Sequence, residues 1–224
     1  MRTAVILVTY NGWEMTQAGL QDMSAQIEDE EHFVFAIADN GSTDDTIVNI
    51  RKHFPKVHLY PQLGNKGFGA ANNSAVKKLI ADGEDFDTIC LLNNDTRLGE
   101  NVLPNLRTAF NKAQEIAKRS GASEAIISPI MLNVDGSIQG NYFAGLGPEG
   151  IGYIQFWKNA FRNEAQAATF LEGNLQETSH PAFKEAHWLS AVCWMISRNL
   201  WEATNGFDES IFMYYEDAEL ALRT

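Results

Sequence analysis

Thr3-Ala4-Val5-Ile6-Leu7-Val8-Thr9 is an unbroken apolar run between threonines, and Tyr10-Asn11-Gly12 stops it. A strand with no polar alternation is covered on both faces, the habit of a parallel strand in an α/β sheet. Outward from it, Trp13 to Ile27 places Met15, Leu20, Met23 and Ile27 on one helical stripe. Phe33 to Ala38 reads as a second buried strand that stops at Asp39-Asn40-Gly41-Ser42. A helix follows with Ile47, Ile50 and Phe54 inward, Thr43 as its expected N-cap, and Asp44 and Asp45 serving its positive end. Val57 to Tyr60 is a third strand and Gly64-Asn65-Lys66-Gly67 a loop. From Phe68 a helix turns Ala71, Ala75, Leu79 and Ile80 inward. Thr88 to Leu92 is a fourth strand, halted by Asn93-Asn94-Asp95 before a helix from Val102 to Ala117. Repeated strand-then-helix units predict a mostly parallel central sheet with helices on both faces, whose ligands bind beyond the carboxyl ends of the strands.

The second half changes character. Ala125 to Ile130 reads as a strand, and Met131 to Gln139 as a hairpin about Asp135-Gly136. Asn141 to Ala186 has poor periodicity and is expected as an excursion over the site. Trp188 to Ser197 is expected as a central strand, followed by a short helix from Arg198 to Thr204 that Asn205-Gly206 closes. No linker or repeat interrupts the chain. The expectation is one domain over residues 1–224, with a nucleotide-binding half at 1–95 and an acceptor and catalytic half at 96–224.

Charge narrows the partners. Seventeen Lys and Arg stand against 29 Asp and Glu, a net charge of −12 with no basic cluster, so nucleic acid and anionic membrane surfaces are disfavoured. An anionic ligand would then need a metal cation. No apolar run approaches the roughly 20 residues of a membrane span, and Ala4 to Val8 is too short for a signal-peptide core. Cys90 and Cys193 lie in apolar runs without metal-ligand spacing, as buried thiols of a cytoplasmic protein would.

The strand-end loops supply Thr9-Tyr10-Asn11, Asp39-Asn40-Gly41-Ser42, Asn65-Lys66-Gly67-Phe68-Gly69 and Asn93-Asn94-Asp95. The first turn is Thr-Tyr-Asn-Gly-Trp rather than GxGxxG, which disfavours a dinucleotide, and no GxxxxGK[ST] is present, which excludes a P-loop. What remains suits a nucleotide whose base meets Asp39 and whose phosphates meet Lys66 and a Mg2+ or Mn2+ on Asp95. Glycines 64, 67 and 69 suggest that backbone must approach something closely, such as a diphosphate.

Five motifs in order then carry a resemblance: Val8 to Gly12, Asp39 to Thr46, Gly64 to Asn73, Leu92 to Thr96, and Gly206 to Glu209 with Phe212 to Asp217. They resemble family 2 glycosyltransferases, nearest to the rhamnosyltransferase-like branch that builds bacterial surface polysaccharides. The resemblance implies a GT-A type, Rossmann-like nucleotide-binding fold. It implies inverting transfer from a nucleotide-diphosphate-sugar, dTDP-rhamnose or a UDP-hexose, to a glycan or lipid-linked acceptor hydroxyl. On that reading Asp217 is the general base and Glu216 supports it. Thr9, Tyr10, Asn11, Asp39, Asn40, Ser42, Asn65, Lys66, Gly67, Phe68 and Asn94 hold the donor, and Asp95 holds the metal. The family's Asp-x-Asp is Asn93-Asn94-Asp95 here, leaving one carboxylate for the metal. Family members also continue past the Glu-Asp motif, so C-terminal helices are expected to be missing from this chain. The enzyme would meet its acceptor at the inner membrane face. The competing readings are a catalytically silent nucleotide-sugar-binding domain of a larger protein, and a nucleotidyltransferase. The second lacks the Gly-rich, basic loop it would need after the first strand.

Overall fold

In the computed structural model, residues 1–26, 31–62, 64–121, 124–143 and 188–224 are described. Two compact units divide the chain: Met1–Ser128 with Ala191–Thr224, and Pro129–Ser190. The larger unit contains β1 (Thr3–Thr9), α1 (Trp13–Ala25), β2 (Phe33–Asp39), α2 (Thr46–His53), β3 (His58–Pro61), α3 (Phe68–Ala81), β4 (Thr88–Asn93) and α4 (Val102–Ser120). The smaller contains β5 (Met131–Leu132), β6 (Ile138–Gln139), β7 (Tyr142–Phe143) and β8 (Trp188–Leu189). The chain then returns to the larger unit as β9 (Cys193–Ser197), α5 (Arg198–Thr204) and α6 (Glu216–Leu222).

The main sheet has the order β3-β2-β1-β4-β9, parallel except that β9 runs against β4. The expected mostly parallel Rossmann-like architecture is present. Ala4 to Leu7 and Ile89 to Leu92 are wholly buried, which explains their lack of polar alternation. The order reverses at β1, where β2 and β3 lie to one side and β4 to the other. Such a switch point opens a crevice at the carboxyl ends. In register, Thr9 pairs with Asp39, and Val8 with Asn93, so the three polar strand ends share one edge.

Four local expectations are corrected. Met15 is exposed, because α1 turns Thr16, Gly19, Leu20 and Met23 inward instead; Ile27 lies outside the described residues. Thr43 does not cap α2; the helix starts at Thr46, whose N–H donates to Asp44 Oδ1 at 3.0 Å. Ala125 to Ile130 is not a strand. The Gln114 side chain takes both the N–H and the C=O of Ala125, Pro129 has no N–H, and only Ile127 bridges to Met195. The run from Trp188 to Ser197 is two strands, and β9 is the last of the main sheet rather than central. Its apolar sequence reflects two covered faces, not two paired edges. Most of 141–186 lies outside the described residues.

The hairpin of the smaller unit forms as expected, with Asp135 Oδ1 accepting from Ser137 N and Oγ in its turn. Cys90 and Cys193 are both buried and free on the neighbouring strands β4 and β9. A hydrogen bond between them, together with burial, pushes the Cys90 thiol well above its usual range, which leaves it unreactive.

A buried asparagine fastens the C-terminal segment to α3. Asn73 donates to Phe207 O at 2.8 Å and to Glu209 Oε1 at 3.1 Å, and accepts from Phe207 N at 3.0 Å. Asn73→Ala would leave both backbone groups of Phe207 buried without partners, at about 1–3 kcal/mol each. Urea unfolding should show a stability loss of about 2–5 kcal/mol; a change under 0.5 kcal/mol would refute the clamp.

Candidate nucleotide and acceptor site

The site is built at the shared strand edge. Thr9, at the end of β1, is buried, shares a 2.7 Å hydrogen bond with Thr16 and donates to Asn11 O. Asn94 Nδ2 donates to the hydroxyls of Thr9 and Thr16 at 3.3 and 3.4 Å, so the side chain ties the β4 end to β1 and α1. Asn11 has φ 56°, a left-handed conformation that asparagine tolerates. This orientation lets its N–H donate to Ser42 Oγ at 2.7 Å, while Oδ1 accepts from Thr43 N at 2.8 Å. Gly12 N donates to Asp44 Oδ2 at 2.9 Å. Hydrogen bonds from Thr46, ahead of that from Gly12, hold the Asp44 carboxyl below its usual range. Asp44 therefore joins two strand-end loops as well as serving its helix. Tyr10 projects from the same turn and is half exposed.

Asp39 is completely buried at the end of β2. Its Oδ2 accepts from the N–H groups of Gly41 and Ser42 at 3.2 and 3.1 Å. Its Oδ1 is buried and has no partner. A buried carboxylate oxygen without a donor is costly and uncommon, and a ligand N–H is the natural way to satisfy it.

The loop after β3 is organised from within. Asn40 Nδ2 donates to Asn65 Oδ1 at 2.8 Å and to Gly67 O, and Asn40 Oδ1 accepts from Lys66 N at 2.9 Å. Asn65 Oδ1 also accepts from Gly67 N at 3.0 Å. The amides of Asn40 and Asn65 thus shape the loop, and Lys66 remains exposed with no ion pair among the described residues. Sequence reading anticipated a close approach to the glycines here, and protein atoms make it. A Cβ on Gly41 would lie 2.6 Å from the backbone of Gly64, and one on Gly69 would lie 2.8 Å from Phe207 Cβ. Gly67, at φ 90°, is packed against the carbonyl of Phe212, where any Cβ would collide with that oxygen. The same carbonyl accepts from Phe68 N at 3.3 Å, and the Phe68 ring packs on Phe207 at 5.8 Å.

Asp95 is exposed and makes no hydrogen bond or ion pair among the described residues. The loop that follows is anchored for it: Asp22 on α1 accepts from Arg97 at 2.6 and 2.8 Å and from Leu98 N at 3.0 Å. No group of three His, Cys, Asp or Glu able to hold a metal occurs among the described residues. A single free carboxylate fits Mg2+ or Mn2+ only where substrate phosphates and water supply the other oxygens, a common arrangement for these ions.

At the far side of the crevice, β9 brings Ala191 and Val192 to the same edge, since Asn93 N donates to Val192 O at 3.0 Å. Asp217 Oδ2 accepts from Ala191 N at 3.1 Å and its Oδ1 from Ala218 N at 2.7 Å. Burial raises the Asp217 carboxyl above its usual range. Burial, and then the neighbouring Asp217, raises Glu216 likewise, and Glu216 Oε2 is buried without a partner. A helix over 208–217 is not formed; α6 starts only at Glu216, with Asp208 accepting from Ser210 N and Glu209 paired with Lys77. Sequence reading missed Asn73, Asp22, Asp44 as a link between loops, and the Ala191 N–H. Only Asn72-Asn73 carried a signal, because two asparagines in a helix interior are unfavourable unless their side chains have work elsewhere.

Comparison with known proteins agrees with this layout. Residues 4–121 match the family description "Glycosyl transferase family 2". The chain is 30% identical, over 98% of its length and 69% of the relative's, to an N-acetylglucosaminyl-diphospho-decaprenol L-rhamnosyltransferase of Mycobacterium tuberculosis. It is 26% identical to a low-salt glycan biosynthesis hexosyltransferase of Haloferax volcanii, over 98% of this chain and 60% of that one. Among solved structures, S. aureus TarS 1-349 superposes with TM-score 0.60 at 15% identity, over all of this chain and 55% of that one. The mannosyltransferase PcManGT from Pyrobaculum calidifontis, in complex with GDP-Man and Mn2+, gives TM-score 0.55 at 14% identity, over 99% and 51%. At those identities the likeness is one of fold, and the chain spans about half the length of these solved structures. The family match and the mycobacterial relative agree with the strand-end motifs: the chain belongs to glycosyl transferase family 2, in its rhamnosyltransferase-like branch.

Proposed function

We propose that the chain carries out an inverting sugar transfer from a nucleotide-diphosphate-sugar, dTDP-rhamnose or a UDP-hexose, to a hydroxyl of a glycan or lipid-linked acceptor in polysaccharide biosynthesis. The observation that carries it is the pair of unusual carboxylates at one sheet edge. Asp39 is buried with an unpartnered oxygen, and Asp217 is desolvated and oriented by Ala191 N–H. Asp39 Oδ1 would accept the ring N–H of a pyrimidine base. Thr9, Tyr10, Asn11 and Ser42 flank the ribose, and Asn40, Asn65, Gly67, Phe68 and Asn94 form the surrounding wall. Lys66 faces the diphosphate. Residues 1–95 on this reading form the nucleotide-binding half and 96–224 the acceptor and catalytic half.

A divalent ion held by Asp95 and the diphosphate, when bound, would neutralise charge on the leaving group. Asp217 takes the proton of the acceptor hydroxyl as that oxygen attacks the anomeric carbon, on the face opposite the departing diphosphate. A carboxylate lifted by burial is a stronger base than one in water. Glu216 keeps the pocket acidic and supports Asp217. The mycobacterial relative's name supplies a reasonable acceptor class, an N-acetylglucosaminyl diphosphate on a polyprenol. Among the described residues no helix is long and apolar enough to cross a membrane. We place the reaction at the cytoplasmic face of the membrane, where such an acceptor is presented.

Thermal shift tests the donor half. UDP or dTDP with Mn2+ should raise the melting temperature, Asp39→Ala should remove most of the gain, and Asp95→Asn should remove the Mn2+-dependent part. Equal gains in all three proteins would refute both assignments.

Radiolabel transfer tests the catalytic half. Asp217→Asn keeps shape but not basicity, so turnover should fall roughly 10²–10⁴-fold with little change in donor affinity. Glu216→Gln should do less harm. Turnover should also fall as pH drops through the raised Asp217 value. A near-parental Asp217→Asn enzyme would show that another group is the base.

The same burial predicts a stability effect of known sign. Glu216 holds its proton more tightly folded than unfolded, so its favourable contribution is complete below the ordinary value of 4.5 and is lost as pH rises through the folded value. Glu216→Gln should therefore unfold at higher urea than the parent at pH 8, and the difference should close towards pH 4. A variant less stable than the parent at pH 8 would contradict it.

A further inference from the structure

The segment from Phe212 to Tyr215 is unlike the rest of the surface. Phe212, Met213, Tyr214 and Tyr215 are four consecutive large apolar or aromatic residues, exposed by 53, 49, 73 and 63%. Tyr214 and Tyr215 also have φ of 64° and 68°. Bulky side chains rarely adopt the left-handed region, at a cost of order 1–3 kcal/mol each, and such strain gathers where surrounding structure imposes it for a function. Here the surroundings do impose it. Phe212 C=O is seated on Gly67 and Phe68 N–H, Glu219 N donates to Tyr215 O at 2.8 Å, and Asp217 is tied to Ala191. The strap is pinned at both ends while its rings point away from the core. Neither tyrosine hydroxyl has a hydrogen-bond partner among the described residues.

We propose that Tyr214 and Tyr215 form a stacking platform for the acceptor's pyranose ring, setting the sugar whose hydroxyl Asp217 deprotonates. The inference rests on the transferase reading above and names residues for its acceptor side. The chemistry of the surroundings selects the occupant. The charges that directly follow the platform are the carboxylates Glu216 and Asp217, so an anionic partner is repelled. A purely apolar occupant would bury Asp217 further with no donor to satisfy it. A neutral sugar has an apolar C–H face for the rings and a hydroxyl for the carboxylate. Ring display on a strained, clamped backbone also removes most of the ordering cost of binding.

The test uses asparagine, which tolerates a left-handed backbone and so removes the ring without disturbing the strap. Tyr214→Asn, Tyr215→Asn, Tyr214→Phe and Tyr215→Phe are compared with the parent chain. The probe is a short-chain prenyl N-acetylglucosaminide, a neutral water-soluble glycoside, titrated calorimetrically in the presence of UDP and Mn2+. The asparagine variants should weaken probe binding by about tenfold, while the phenylalanine variants stay within about twofold, because the ring face carries the contact. UDP affinity should be unchanged in all four, the phenylalanine variants should keep the parental melting temperature, and the asparagine variants, relieved of backbone strain, should not melt below it. Parental probe affinity in both asparagine variants, or no measurable probe binding by the parent that binds UDP, overturns the platform. Asp39→Ala losing UDP affinity in the same titration keeps the donor reading separate from that failure. Zwitterionic phosphatidylcholine vesicles without sugar provide the other arm. Vesicle binding by the parent that the asparagine variants lose would make the strap a lipid contact and overturn the proposal equally.

Discussion

The parallel pairing of β1 with β2 on one side and β4 on the other is the constraint from which the site follows. Because the three strands share direction and register, Thr9, Asp39 and Asn93 must arrive at one edge, and their loops must share the space beyond it. β9 joins by running the opposite way, so its first residues, not its last, reach that edge. The Ala191 N–H is thereby available to Asp217, although 26 residues separate the two. Remote segments of the chain meet there because of strand direction alone.

Polar side chains then fix the loops with little apolar help. Ser42, Asn11, Asp44, Asn40 and Asn65 spend most of their hydrogen-bonding capacity on neighbouring backbone. The buried Asp39 Oδ1 and the exposed Asp95 are among the groups left outside this network, and on the proposed reading a nucleotide and a cation would complete these two. In a chain of net charge −12, the exposed Lys66 is a scarce positive group near the expected diphosphate.

The Gly67 contact with Phe212 links the loop after β3 mechanically to the segment before α6. Shape at Gly67 sets the position of the strap, and the strap sets Tyr214, Tyr215 and the start of α6. Two left-handed tyrosines and two desolvated carboxylates make this a locally unfavourable stretch, held by Asn73, Phe207 and Ala191. On the proposed reading, stability is given up where a fixed base and displayed rings would serve function.

Strand-helix alternation, the apolar runs of β1, β2 and β4, and the polar residues that end them were legible in the sequence, because burial on both faces and strand termination leave local patterns. The order of the five motifs likewise identified the family. What the sequence left open depended on distance across the fold. Glycines 64, 67 and 69 announced a close approach, but only the folded chain shows that Gly41, Phe212 and Phe207 make it. Ala125 to Ile130 looked like a strand, since nothing local reveals that Gln114 takes its backbone groups. Asn72-Asn73 in a helix interior hinted at work for a side chain, but neither that pair nor Ala191 names a partner; a helix amide and a backbone N–H acquire their roles only from what the tertiary structure sets opposite them.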